Sequence, residues 1–210
     1  MEKIKELPLE CGVAGQTLPG QNETGDKHVI VPSATGALLA VIDGLGHGRE
    51  AATAARLAAE VLEENAGEPM IFLVRLCHEK LRETRGVVMS LATFNTAEST
   101  VTWMGVGNVE GVLLHRDSYG TVSREVLALR GGVVGDQLPN LIASILPVSR
   151  GDTLLFVTDG VRKDFLNGVT LNDPVQRIAE NVLAHHARGN DDALVLVARY
   201  SGLQKEATRG

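Results

Sequence analysis

The stretch ALLAVIDGLGHGRE, residues 37–50, constrains this chain more than any other. The apolar run Ala37–Ile42 reads as a strand that stops abruptly on Asp43. Gly44, Gly46 and Gly48 follow at alternate positions, with His47 between the last two. Arg49 then opens an alanine-rich segment with helical spacing to Glu64. Any fold of this chain must therefore join a carboxylate, a loop of little side-chain bulk and a helix N-terminus. That combination suits an oxyanion or a metal–phosphate centre. Two later aspartates repeat the placement. Asp159 ends the run LLFVTDG, and Asp191 lies in GNDDALVLV, just before an apolar run.

The remaining elements follow from periodicity and turn signals. Leu9–Gly15 reads as an edge strand, Leu18–Lys27 as a polar, turn-rich loop, and His28–Val31 as a strand. Pro69 suits a helix first turn, and Met70–Arg82 continues as an amphipathic helix. Short strands are expected at Val87–Phe94, Thr100–Val106, Gly111–His115, Arg124–Leu129 and Ile142–Leu146, then a strong buried one at Asp152–Thr158. Asp173-Pro174 resembles an N-cap and first helical residue for a helix ending near His186, and Ala193–Tyr200 is the last strand. A doubly wound parallel sheet would alternate strand and helix regularly. This order does not, and it predicts an α+β fold of stacked antiparallel sheets with helices on the outer faces.

With 210 residues, 44% of them hydrophobic, the chain is expected to form a single domain, 1–210, with its core at about residues 8–200 and a frayed tail from 201. Aromatics are only 3%, so Ala, Val, Leu and Ile must build that core. A net charge of -6 argues against nucleic-acid binding. Cys11 and Cys77 lack metal-ligand spacing and read as buried free thiols, which suits a reducing cytoplasm. The opening MEKIKELPLE has no apolar signal core, and no apolar run approaches the roughly 18 residues of a membrane span.

Taken singly, each Asp-Gly reads as a turn. Together they say more, because three apolar strands each carry an aspartate at one end. If those ends converge, the carboxylates crowd one another and require cations. Oxygen donors without His or Cys select hard ions such as Mg²⁺ or Mn²⁺, and a two-metal cluster of that kind suits phosphoryl hydrolysis.

At this point VIDGLGHG, LLFVTDG and GNDDALVLV, in that order, resemble the three core motifs of the metal-dependent protein phosphatases of type 2C. The Asp43-to-Gly48 form is closest to the bacterial SpoIIE/RsbU/RsbX branch, and the short chain is most similar to its stand-alone feedback phosphatases of stressosome signalling. WMGVGNVEGVLLHR, residues 103–116, is similar to the branch's Asn-Ala-Gly-His strand–turn–strand, and Gly132–Gly135 falls at its small glycine motif. The resemblance implies an α-β-β-α sandwich and two Mn²⁺ or Mg²⁺ ions. It implies that Asp43 bridges both metals and that the Gly44 carbonyl ligates the second. Asp159 and Asp191 complete the first metal's ligands, Asp26 reaches the second, and Asp192 stands behind the ligands. It further implies a cytoplasmic enzyme whose partner is a phosphorylated STAS-domain regulator, without nucleic acid or membrane.

Two features depart from the pattern. Lys27-His28 follow Gly25-Asp26 where the branch has an aromatic, and no arginine precedes Arg49 to grip phosphate. His47 reads either as a general acid for the leaving serine oxygen or as a loop residue packed under the site. His185-His186 reads as a solvated helix C-terminus. Two rivals remain. Strand, glycines and helix loosely match a dinucleotide-binding turn, but the spacing is not G-x-G-x-x-G and two helices precede the next strand. A catalytically silent regulator of the same fold would have no need of the complete acid set.

Overall fold

The computed structural model describes residues 8–33, 35–116 and 121–202. The elements run β1 (Leu9–Gln16), β2 (Asp26–Ser33), β3 (Gly36–Gly44), α1 (Arg49–Glu64), α2 (Met70–Lys80), β4 (Val87–Asn95), β5 (Thr100–Val106), β6 (Glu110–Arg116) and β7 (Val122–Val126). There follow β8 (Leu129–Arg130), β9 (Ser144–Pro147), β10 (Thr153–Val157), α3 (Val175–His186) and β11 (Ala193–Tyr200). One sheet has the order β1-β11-β10-β6-β7 and the other β2-β3-β4-β5-β8, with β9 also on β5.

Alternation along β3 explains the layering. Ala37, Leu39 and Val41 pack with Leu154, Phe156, Leu194 and Leu196 of the other sheet. Leu38, Ala40 and Ile42 pack with Ala54, Ala55 and Ala58 of α1 and Leu73 and Cys77 of α2. A strand covered on both faces has no use for a polar side, hence the continuous apolar run. Likewise Leu155 and Val157 of β10 face Ile178, Ala179 and Val182 of α3. The result is the four-layer α-β-β-α sandwich expected.

Several local expectations are corrected. Strand β2 begins at Asp26, inside the segment read as a loop. Arg124–Leu129 is not one strand: β7 pairs with β6 in one sheet, and β8 pairs in parallel with β5 in the other. That parallel pair departs from the expected all-antiparallel pattern. The strand expected at Ile142–Leu146 is Ser144–Pro147. Pro69 and Pro174 themselves occupy the N-cap positions of α2 and α3, with extended ψ of 139°, so Asp173 is not the cap. His186 is buried, not solvated. Its Nδ1 meets Asp164 Oδ1 at 3.3 Å and its Nε2 the Asn167 carbonyl at 3.2 Å. Cys11 and Cys77 are free thiols, Cys77 buried and Cys11 half-buried. The expected frayed tail lies, from residue 203, outside the described residues. Among the described residues no helix is long and apolar enough to cross a membrane.

Candidate metal and active site

Antiparallel pairing brings the predicted acids to one end of the sandwich. Strand β3 arrives there at Asp43, and β2 departs at Asp26, its direct partner in the register. In the other sheet β10 arrives just before Asp159, and β11 departs just after Asp192. Two Asp-Gly pairs make the junctions tight. A Cβ on Gly44 would stand 2.2 Å from the Ala51 carbonyl oxygen, and one on Gly160 would stand 1.9 Å from that of Asp192. Only glycine lets α1 close on β3, and the β10 turn close on the Asp191-Asp192 turn.

Asp43, Asp159, Asp191 and His47 line one cleft of about 220 Å³, together with Leu45, Gly46, Val88, Asn108 and Asn190. Asp26 lies behind this wall, 3% exposed, opposite Asp43. Gly44 is buried and donates its N–H to the Gly25 carbonyl at 3.0 Å. A larger cleft of about 680 Å³ lies elsewhere, on the outer face of β6 and β7, and among the described residues no carboxylate lines it.

The electrostatics are those of crowded acids. Burial, then repulsion from Asp26, Asp159, Asp191 and Asp192, pushes the Asp43 carboxyl up to about 8. Burial likewise pushes Asp26 up to about 7, opposed by a Thr158 hydrogen bond and reinforced by Asp192, Asp159 and Asp191. Asp159 is raised by burial and by Asp191, against the pull of Arg188 and of an Asn108 hydrogen bond. Among the described residues no hydrogen-bond donor reaches the Asp43 carboxylate. Nor do any three acidic, His or Cys side chains there enclose a common point tightly enough for an ion.

Sequence reasoning missed two supports. Thr158 donates to Asp26 Oδ2 at 2.8 Å and accepts the Leu194 N–H at 2.9 Å, tying the sheets together at the acid end. It sits inside LLFVTDG, and its only signal is a hydroxyl in an apolar run. Asn108 donates to Asp159 Oδ2 at 2.7 Å, and its place in the strand–turn–strand motif was the available hint. Asp192 accepts the N–H groups of Leu18 and Gly25, each at 2.7 Å, so it holds the loop that delivers Asp26. Asp191 accepts the Asp192 N–H at 2.9 Å, and among the described residues no donor reaches its other oxygen. His47 is exposed, between Gly46 and Gly48 with φ of 87° and 75°, and has no hydrogen-bond partner among the described residues. The dinucleotide alternative fails because β3 pairs antiparallel on both sides and no βαβ unit forms around its loop.

Two stacked sheets with outer helices and an acid cluster at one end form the architecture expected of the PP2C-type phosphatases. Comparison with known proteins agrees. The family model Stage II sporulation protein E (SpoIIE) matches residues 33–201, and the chain belongs to that family. Phosphoserine phosphatase RsbX of Bacillus subtilis (strain 168) is 22% identical over 204 residues, covering 95% of this chain and 96% of RsbX. A crystal structure of RsbX in complex with magnesium superposes with TM-score 0.80 at 20% identity, covering 92% of this chain and 96% of the other. A chain from a structure of the bacterial stressosome, a modular system adapted to control secondary messenger signalling, gives TM-score 0.82 at 27% identity. It covers 91% of this chain and 99% of that one.

Proposed function

We propose that this chain, as one cytoplasmic phosphatase domain, removes phosphate from serine or threonine of a STAS-type regulator in bacterial stress signalling. We further propose that two Mn²⁺ or Mg²⁺ ions are held by Asp43, the Gly44 carbonyl, Asp159, Asp191 and Asp26. The observation that carries the reading is the pairing of Asp26 against Asp43, with Asp159 and Asp191 at the same sandwich end. The donor set fits such ions. Every donor is an oxygen, and no basic side chain pairs with Asp43 among the described residues. Raised carboxyls also gain most from a cation. Bound divalent ions would neutralise phosphate oxygens and supply an activated water.

The chain's own residues do the rest. Thr158 and Asp192 fix Asp26 from two sides, and Asn108 orients Asp159. Asp43 meets the cleft at the end of a strand buried on both faces, so its backbone has little freedom. We propose that His47, at the cleft wall and without a hydrogen-bond partner among the described residues, gives a proton to the leaving serine oxygen. The STAS-type substrate and stressosome setting are supported by the likeness to RsbX and to the stressosome chain. Hydrolysis of p-nitrophenyl phosphate with Mn²⁺ and with EDTA tests the activity. Turnover only with metal is expected, whereas a folded protein inert in both would favour a silent regulator.

A further inference from the structure

We propose that Arg85 sets substrate specificity: its guanidinium binds an acidic side chain flanking the phosphorylated residue, displacing its resting partner Glu50. This rests on the phosphatase reading above. Arg85 lies in the turn between α2 and β4, and the carbonyl of the next residue, Gly86, accepts the Leu45 N–H at 3.1 Å. That bond pins the turn to the glycine loop. The guanidinium then lies over Gly46, where an added Cβ would stand 2.7 Å from Arg85 Nη1. Gly46 and His47 are walls of the acid cleft. Arg85 therefore stands at the rim, on the far side of one loop from the carboxylates.

Its partner is Glu50, in the first turn of α1. The two side chains are 50% and 69% exposed. Ion pairs so exposed add little stability, so this one is a weak latch and exchanging its carboxylate for another costs little. A guanidinium accepts a carboxylate through two parallel N–H donors, which suits recognition of an acidic side chain. The phosphoryl group itself belongs with the aspartates. A group that reaches Arg85 across the Gly46–His47 loop must come from a neighbouring residue of the substrate. Arg85 adds a positive charge at the edge of the cleft, beside the Gly46–His47 loop.

The test uses the full chain with Mn²⁺ and two phosphoserine peptides, one flanked by Asp and one by Asn. At low salt the wild type should show a KM lower by about two- to fivefold for the Asp peptide, with the preference fading at high salt. Arg85→Ala should bring the KM ratio to about one, and Arg85→Lys should keep part of it. Glu50→Gln removes the competitor and should lower KM for the Asp peptide. An unchanged ratio in Arg85→Ala overturns the assignment. So does a shift of that KM in the same direction in Arg85→Ala and Glu50→Gln, the mark of a structural latch. Turnover of p-nitrophenyl phosphate without any preference for the Asp peptide overturns this inference alone. No metal-dependent turnover of any substrate overturns the phosphatase reading and this inference with it.

Discussion

Replacing Asp43 by Asn should stabilise the metal-free protein while crippling the enzyme. Burial and four neighbouring carboxylates push Asp43 up to about 8 in the fold, whereas an unfolded chain ionises it near 3.9. A raised acid favours the folded state at low pH, and that advantage is lost as pH rises from the unfolded value through the folded one. Metal-free wild type should therefore lose stability between about pH 4 and pH 8. Linkage at about 1.4 kcal/mol per pH unit makes the penalty of order 2–4 kcal/mol at pH 7 for a proton shared with Asp26. Asn carries no proton to lose and keeps the size. In EDTA at pH 7, Asp43→Asn should melt about 5–15 °C above wild type. At pH 5 the two should draw together. Calorimetric scans of both proteins at both pH values decide it. Equal melting temperatures at pH 7, or a gap that widens at pH 5, would refute the electrostatic account of the cluster.

Other perturbations separate the remaining roles. His47→Ala should slow hydrolysis of a phosphoserine protein by about 10²-fold or more and matter little for p-nitrophenyl phosphate, whose leaving group needs no proton. Equal losses on both would make His47 structural. Millimolar Mn²⁺ at a hundredfold excess over Kd should stabilise wild type by about 2.7 kcal/mol. That gain should shrink in Asp159→Asn and Asp191→Asn, as melting scans with EDTA and with Mn²⁺ will show. Thr158→Val deletes the hydroxyl that binds Asp26 and Leu194. It should cost about 1–3 kcal/mol by chemical denaturation.

What could be read in the sequence was whatever local pattern decides. An apolar run that ends on Asp-Gly declares a strand end at β3 and β10 without help from the rest of the chain. Their meeting at one end depends on how the two sheets stack, since β3 and β10 lie in different sheets. Asp26 was harder to place, because Gly25-Asp26 follows a polar turn and only the pairing with Asp43 makes it the start of a strand. Arg124–Leu129 looks like one β segment, yet the chain changes sheets after Val126, and local propensity is blind to which sheet a residue joins. His186 carries a solvent-facing composition at a helix end and is buried by the 161–168 turns, a tertiary effect. Arg85 gave no signal, since its nearness to Gly46 depends on a hydrogen bond from Leu45 to Gly86 across the fold.

Asp43 is proposed above to hold divalent metal for phosphate hydrolysis. The most direct test is turnover of a phosphoserine protein across an Mn²⁺ titration, for wild type and for Asp43→Asn shown to be folded by circular dichroism. Wild type should be inactive in EDTA and saturate with Mn²⁺. The variant should lose at least about 10²-fold, roughly 3 kcal/mol of transition-state stabilisation. Turnover that survives EDTA, or a folded Asp43→Asn with near-normal rate, would contradict the claim.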